Sequence, residues 1–564
     1  MGSLDHAPRY TEEKRQGFID QGLWNDDTLA TYLEKWARET PDKPAIVAGE
    51  RTLSYAETHA AARRLANSLL DLGLRKGDVV GIQLPNLPEY LIAYFSVALM
   101  GGILGTLHMP YRAAEMAPLM NHGRMRALIC GAATERYDAP ATAFELKSHV
   151  PTLEHVIVLG AAVPDGCHDL TRLICDGADR DIVDPPGPDD FALLCFTSGT
   201  AAAPKAVLRD YRTITSNART YSPTIELSPD DVVMTAPPFT HVFGLCCVAC
   251  TLWAGATSVL MDLFTPDAFI RCIHDGRPTV LFCAPAHIAA THKAGLFDTH
   301  DCGSIRDVIV AGAVCPPDVA ATFERYLPNG RVGQLFGMTE VILVMQTPLD
   351  VGPEVRHTST GRATHGVDAR VTGADGAALG PGGEGELEIR GYTVLAGYLG
   401  NDEANRTSFT NDGFFRTGDL ATIDTDGNVV ITGRVKHVIN RGGIKINPTD
   451  IENLITAHEA VVQAAIVAMP DDVYGEKACL FVELAPGASF GFDDMTAYLG
   501  SNGVAKIRWP ERLETVDEMP VTPTRKIIKD ELVKLLKWRI VAQHGRSPLS
   551  EDLPTRILSR RATE

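Results

Sequence analysis

Between Phe196 and Lys205 the chain reads Phe-Thr-Ser-Gly-Thr-Ala-Ala-Ala-Pro-Lys. Thr197, Ser198 and Thr200 offer hydroxyls, Gly199 lets backbone turn closely, and Lys205 adds a cation. Hydroxyls, backbone N–H groups and an ammonium together suit the phosphates of a nucleotide. The run is not a Walker sequence, and Thr/Ser/Gly loops also serve as ordinary connections. A second group, Phe336-Gly-Met-Thr-Glu340, sets a hydroxyl beside a carboxylate, a pair that fits a phosphate-bound metal or a helix cap. A third is Phe415-Arg-Thr-Gly-Asp419, with Gly433-Arg-Val-Lys436 soon after it. The Asp419 carboxylate could accept from both hydroxyls of a ribose at once. In Arg441-Gly-Gly-Ile-Lys445, Gly442 and Gly443 would let backbone approach a narrow ligand.

These residues need elements to hold them. Short apolar runs alternate with amphipathic stretches through most of the chain. Val79–Leu84, Val156–Leu159, Leu193–Phe196, Val280–Cys283 and Val308–Ala311 read as buried strands. Ser54-Tyr-Ala-Glu57 reads as a capping box for a helix whose apolar side includes Ala61, Leu65 and Leu69. Such alternation predicts α/β architecture with largely parallel sheets covered on both faces. After about Val367, glycines at 373, 376, 380, 382, 383 and 385 punctuate strand-like pieces such as Glu386–Arg390, suggesting an antiparallel or barrel-like subdomain. A compact unit follows. Its first helix starts near Asn447-Pro448, with Asn as cap and Pro in the first turn, and Val461–Met469 and Lys477–Leu484 are strand-like. The polar stretch Arg546–Glu564 is expected to fray.

Bulk properties exclude several classes. At 564 residues the chain needs two or more folding units. A net charge of −19 would repel nucleic acid and anionic membrane. Leu91–Met109 lacks Lys, Arg, Asp and Glu over about the length of a membrane span, but Gly101-Gly102 splits it into a helix-like and a strand-like half, so it reads as core. The 12 cysteines form no framework, and Cys247 and Cys250, spaced CxxC in an apolar run, read as buried structural thiols. Free thiols and no secretory signal indicate a reducing cytoplasm.

In order and separation, the motifs resemble the adenylate-forming superfamily in its acyl-CoA synthetase branch, over about Leu29 to Leu532. The resemblance implies an N-terminal AMP-binding domain over 1–433, built of mixed, mostly parallel sheets plus a small β-barrel-like subdomain. A hinge at 434–437, a small mobile α+β domain at 438–540 and a tail at 541–564 would complete it. By the same resemblance, Thr197, Ser198, Gly199, Thr200, Lys205, Gly312, Ala313 and Gly337 bind nucleotide and Phe336 stacks near adenine. Thr339 touches the α-phosphate, Glu340 holds Mg²⁺, Asp419 takes the ribose and Arg434 donates to ribose and phosphate. Pro520-Val-Thr-Pro-Thr-Arg-Lys526 resembles the final signature, whose lysine bridges carboxylate and α-phosphate. Lys436 falls at the pivot between the adenylating and thioester-forming orientations. Arg441, Gly442 and Gly443 line the pantetheine tunnel, and His241 gates an acid pocket with Val242, Phe243, Ala311, Gly312, Gly337 and Val344. A pocket so apolar suits a bulky aryl, alicyclic or polycyclic acid; Val242, where aryl-acid activators often have Asn, argues against dihydroxybenzoate.

Several positions depart from the superfamily pattern. Thr-Gly-x-Pro-Lys-Gly is usual, and here the loop reads Ala201-Ala-Ala-Pro-Lys-Ala206; Arg525 stands where glycine precedes the last lysine, and His437 where Asp is usual. His437 reads as hinge context rather than as a catalytic base. Alanine at a left-handed glycine position costs roughly 1–2 kcal/mol, and losing one well-placed donor costs about a hundred- to thousandfold in rate. The expectation is an acyl-CoA ligase acting on an acid or its adenylate, with ATP or acyl-AMP, Mg²⁺ and CoA as its small molecules. Thioesterification is expected intact and adenylation weak or lost, in which case a separate adenylating enzyme would supply the adenylate. Two alternatives stand beside it: a conventional two-step ligase or aryl-acid activator for a carrier protein, and a non-catalytic acyl-adenylate-binding protein.

Overall fold

The computed structural model describes residues 4, 7–197, 204–442, 444–471, 473–522 and 526–543. They divide into two compact units, one of residues up to 197 with 204–369 and 389–415, the other of 370–388 and 416 onward. Two sheets build the first unit. The seven-stranded sheet runs, in spatial order, His168–Asp169, His155–Leu159, Met125–Gly131, Val79–Gln83, Ile103–Thr106, Phe191–Phe196 and Ala206–Asp210. All its pairings are parallel except the last, a hairpin that returns Ala206 opposite Phe196. The nine-stranded sheet has a parallel centre of Arg331–Met338, Asp307–Val310, Val280–Cys283, Val232–Thr235, Thr257–Leu260 and Pro44–Ala48. Ile342–Gln346 folds back antiparallel on Arg331–Met338.

The local reasons are those in the sequence. Val79–Gln83, Phe191–Phe196 and Val280–Cys283 are buried at every residue, as parallel strands covered on both faces must be. The Ser54 hydroxyl accepts from Glu57 N while Glu57 reaches back to Ser54 N, so the helix Tyr55–Asp71 starts on a capping box and buries Ala61, Leu65 and Leu69. The uncharged stretch resolves into the helix Pro88–Leu99, a turn at Gly101 with φ +70°, and the buried strand Ile103–Thr106. Among the described residues no helix is long and apolar enough to cross a membrane. Cys247 and Cys250 are buried free thiols, and burial pushes the Cys250 pKa up to about 12.

The glycine-punctuated region takes the form of a four-stranded sheet, ordered Val367–Thr372, Gly385–Gly391, Phe415–Ile423 and Val429–Arg434. A five-stranded sheet follows, centred on the long antiparallel pair Val461–Asp471 and Gly475–Leu484. Asn447 caps the helix Thr449–Thr456: its Oδ1 accepts from Thr449 N at 3.2 Å, and Pro448 already has helical angles. The stretch Arg546–Glu564 lies outside the described residues.

Candidate active site

The loop expected to cradle phosphate lies mostly outside the described residues, including Ser198, Gly199, Thr200, Ala201 and Ala202. Its two anchors are described. Thr197 ends the strand Phe191–Phe196 and donates its N–H to the Lys205 carbonyl at 2.9 Å. Ala206 corrects one expectation. It is the first residue of an extended strand, paired with Phe196, buried among Leu194, Leu208 and Leu399, and absent from the positive-φ residues. Extended backbone accepts any side chain, so no left-handed penalty arises at Ala206. Arg525 also lies outside the described residues.

Phe336 and Gly337 end the strand Arg331–Met338, and Thr339-Glu340-Val341 turns the chain into Ile342–Gln346, so the Thr–Glu pair sits in a hairpin and not at a helix start. That hairpin is tight: a Cβ at Gly337 would overlap the Ile342 carbonyl. Ile342 holds φ +54°, an outlier for a β-branched residue. Three contacts hold the turn in place. The wholly buried Arg209 donates from one guanidinium nitrogen to the Thr339 carbonyl and from another to the Thr393 carbonyl, each at 2.6 Å. Leu395 N donates to the Glu340 carbonyl at 2.8 Å. The Tyr398 hydroxyl donates to Glu340 Oε1 at 3.0 Å, and Lys205 Nζ lies 4.6 Å from the centre of the Tyr398 ring. Burial raises the Glu340 pKa, opposed by the Tyr398 hydrogen bond and the charges of Arg209 and Lys205. A lone carboxylate is a fitting protein ligand for Mg²⁺, which keeps waters and takes phosphate oxygens for the rest; among the described residues there is no cluster of three or more His, Cys, Asp or Glu to hold a metal.

His241 stands at the N-terminus of the helix Val242–Ala254, its Nδ1 accepting from Phe243 N at 3.2 Å. Val242 and Phe243 are buried, Phe243 meeting Phe282 edge to face. Val344, wholly buried in its strand, exposes no surface. Gly312, with φ +86° and open space where a Cβ would stand, and Ala313 are exposed in the bend after Asp307–Val310. His108, which sequence reasoning missed, lies roughly parallel to His241 with ring centres 6.2 Å apart, and its Nδ1 is 3.1 Å from Thr240 Oγ1. Burial, then His241, lowers its pKa to about 3, so it stays neutral near pH 7.

The second unit carries its own constellation. Asp419 and Arg434 face each other across an antiparallel pair and join through Arg434 Nε at 2.7 Å from Asp419 Oδ1. Gly418, at φ +71°, makes the bend that delivers Asp419, and Thr417 Oγ1 accepts from Asp419 N at 3.1 Å. Lys526 shares their field. Its side chain is exposed at the surface of the unit, and desolvation with the positive charges of Arg434, Lys436 and Lys529 lowers its pKa from the usual ammonium value against the opposing Asp419. Lys436 sits in the short turn Val435–His437 with Nζ 4.0 Å from Asp530 Oδ2. Burial and the neighbouring Lys529, Lys436, Arg434 and Lys526 lower the His437 pKa to about 3, which makes it a poor base at neutral pH. Arg441 is bound within the unit, at 2.7 Å from Glu511 and 2.9 Å from the Ile507 carbonyl. Gly442, at φ +58°, donates to the Tyr474 carbonyl; Gly443 lies outside the described residues.

Arg209, Tyr398 and His108 are not among the residues that the sequence singled out. The one signal available was a charge inside an apolar strand, at Arg209 in Ala-Val-Leu-Arg-Asp.

Residues 33–399 match the AMP-binding enzyme family and 450–526 the AMP-binding enzyme C-terminal domain, so the chain belongs to the AMP-binding enzymes, as an acid–thiol ligase of the AMP-forming type. It is 34% identical over 544 residues, 95% of each chain, to a salicyl-AMP ligase / salicyl-S-ArCP synthetase of Mycobacterium tuberculosis. A 2-hydroxy-7-methoxy-5-methyl-1-naphthoate–CoA ligase of Streptomyces carzinostaticus is 32% identical, covering 94% of this chain and 95% of the relative. The fold is also that of the crystal structure of the anthranilate CoA ligase AuaEII in complex with anthranoyl-AMP, with a TM-score of 0.84, 22% identity, and coverage of 93% and 99%.

Proposed function

We propose that this enzyme is an ATP-dependent acyl-CoA ligase for a bulky, apolar, aromatic carboxylic acid, working through an acyl-adenylate in two half-reactions. The observation that carries the reading is the second unit's constellation: Asp419 and Arg434 paired at 2.7 Å, with Lys526 and Lys436 in the same electrostatic field. In the first half-reaction the acid's carboxylate attacks the α-phosphorus and pyrophosphate leaves. Negative charge grows where two anions meet, and an ammonium placed there lowers the barrier. Lys526 takes that role, Thr339 donates at the α-phosphate, Asp419 accepts from the ribose and Arg434 steadies both. Glu340 would hold Mg²⁺, which supplies charge neutralisation on the phosphates. In the second half-reaction a thiol attacks the acyl carbonyl and AMP leaves. Residues 434–437 form the proposed pivot, with Lys436 exposed on it, and Arg441, Gly442 and Gly443 the proposed path of the pantetheine.

The buried wall of Val242 and Phe243 behind His241 favours an aryl or polycyclic acid over acetate, in line with the salicyl, naphthoate and anthranilate ligases above. Free CoA is the proposed acceptor; a carrier-protein thiol is the alternative that the salicyl-S-ArCP synthetase suggests. A second reading, thioesterification with weakened adenylation fed by another enzyme's adenylate, rests on Ala201, Ala202 and Arg525. Ala206 no longer supports it, because that residue is extended and packed.

The test measures both half-reactions over a panel of aryl and polycyclic acids: acid-dependent ATP–pyrophosphate exchange, and CoA thioester formed from synthetic acyl-adenylate. Both at ordinary rates establish the two-step ligase. Thioester without exchange establishes the second reading, and neither overturns both.

A further inference from the structure

The segment from Thr393 to Leu399 is laced to two parts of the proposed first half-reaction site. On one side, Leu399 N donates to the Ala206 carbonyl at 2.9 Å and Tyr398 pairs with Val207, next to Lys205. On the other, Leu395 N holds the Glu340 carbonyl, and Arg209 ties the Thr393 carbonyl to the Thr339 carbonyl. Tyr398 is where the two sides meet. Its backbone is pinned by Asn405, whose Oδ1 accepts from Tyr398 N at 2.7 Å and whose Nδ2 donates to the Tyr398 carbonyl at 3.0 Å. Its side chain is 2% exposed, too buried to touch a substrate, yet its hydroxyl contacts the Glu340 carboxylate and its ring the Lys205 ammonium.

We propose that Tyr398 is a positioning residue for adenylation, a single phenol that orients the Glu340 carboxylate through its hydroxyl and the Lys205 ammonium through its ring. The proposal rests on the reading that Glu340 and Lys205 serve the nucleotide. Two physical arguments carry it. A carboxylate that gives one oxygen to a fixed donor keeps the other in a fixed direction, as the outer partners of metal ligands do. A cation over a ring face is held there by the ring's quadrupole, which fixes where its charge is presented. The strained φ of Ile342 two residues beyond Glu340 is a second, independent sign that the turn is held against its own preference by its surroundings.

The test is Tyr398→Phe in the full chain, which removes the hydroxyl and keeps the ring over Lys205. Acid-dependent ATP–pyrophosphate exchange should fall roughly ten- to a hundredfold, the size typical of losing an outer partner of a metal ligand, with a raised KM for MgATP. Thioester formation from synthetic acyl-adenylate should stay within about twofold of the parent. Tyr398→Leu, which also removes the ring, should cost more than Tyr398→Phe. Because both half-reactions are read on one sample, partial misfolding lowers them together and leaves their ratio to report. An unchanged ratio and an unchanged KM for MgATP overturn the proposal. Glu340→Gln tells this failure from failure of the underlying reading: if it too leaves exchange unchanged, the assignment of Glu340 is what falls.

Discussion

Lys526 is the residue whose chemistry is most exposed to experiment. Its pKa is lowered from the usual ammonium value, so it loses its charge at a lower pH than an ordinary lysine. Adenylation is therefore expected to decline on the alkaline side while thioester formation from synthetic acyl-adenylate does not share that limb; coincident profiles would remove Lys526 from the first half-reaction. Asp419→Ala takes away the ribose acceptor and leaves Arg434 without its 2.7 Å partner. Acyl-adenylate affinity should drop about ten- to a hundredfold, as for loss of a hydrogen bond to a charged group, and calorimetric titration reads it directly. The two alanines now separate. Ala206→Gly exchanges a packed strand residue for a flexible one and should leave exchange no faster while lowering stability by roughly 0.5–1 kcal/mol. Ala202→Gly is the substitution that should raise exchange if the loop argument holds.

At the scale of elements, the hairpin joining Arg331–Met338 to Ile342–Gln346 is the least forgiving part of the first unit. Its bulge between Phe336 and Gly337 brings opposing backbones so close that a methyl at Gly337 has no room. Gly337→Ala is expected to cost more in exchange rate than in thermal stability, because the displaced atoms are those leading into Thr339 and Glu340. Equal thermal and catalytic loss would mean that the glycine serves folding alone. The strands and helices around it were legible because their periods are local: parallel strands are apolar throughout, and the Ser54–Glu57 box announces its helix within four residues. The Thr–Glu turn was less legible, since a hydroxyl before a carboxylate fits a helix cap as well as a hairpin.

For the whole molecule, the central expectation is that one chain runs two reactions that can be separated. Lys436→Pro fixes the backbone in the turn Val435–His437. Under the proposed pivot it should slow thioester formation by tenfold or more while exchange continues; a matched loss in both would deny the pivot. Within a chain of net charge −19, Lys526, Lys436, Lys529 and Arg434 gather in the second unit, with Asp419, Asp530 and Glu452 pairing Arg434, Lys436 and Lys529.

The order and spacing of the motifs, together with apolar strands and amphipathic helices, were enough to determine the family and the α/β class. Those properties are written in residue type and in periods of two and 3.6, which a linear chain displays. What only the tertiary structure decided was how the groups act on one another. Arg209 and Thr339 are 130 residues apart and Tyr398 and Glu340 are 58 apart, so their hydrogen bonds leave no mark on either neighbourhood. Backbone angle was equally hidden. An alanine in a motif position usually held by glycine looks costly in sequence, and at Ala206 it carries no left-handed backbone penalty, because strand pairing makes the backbone extended.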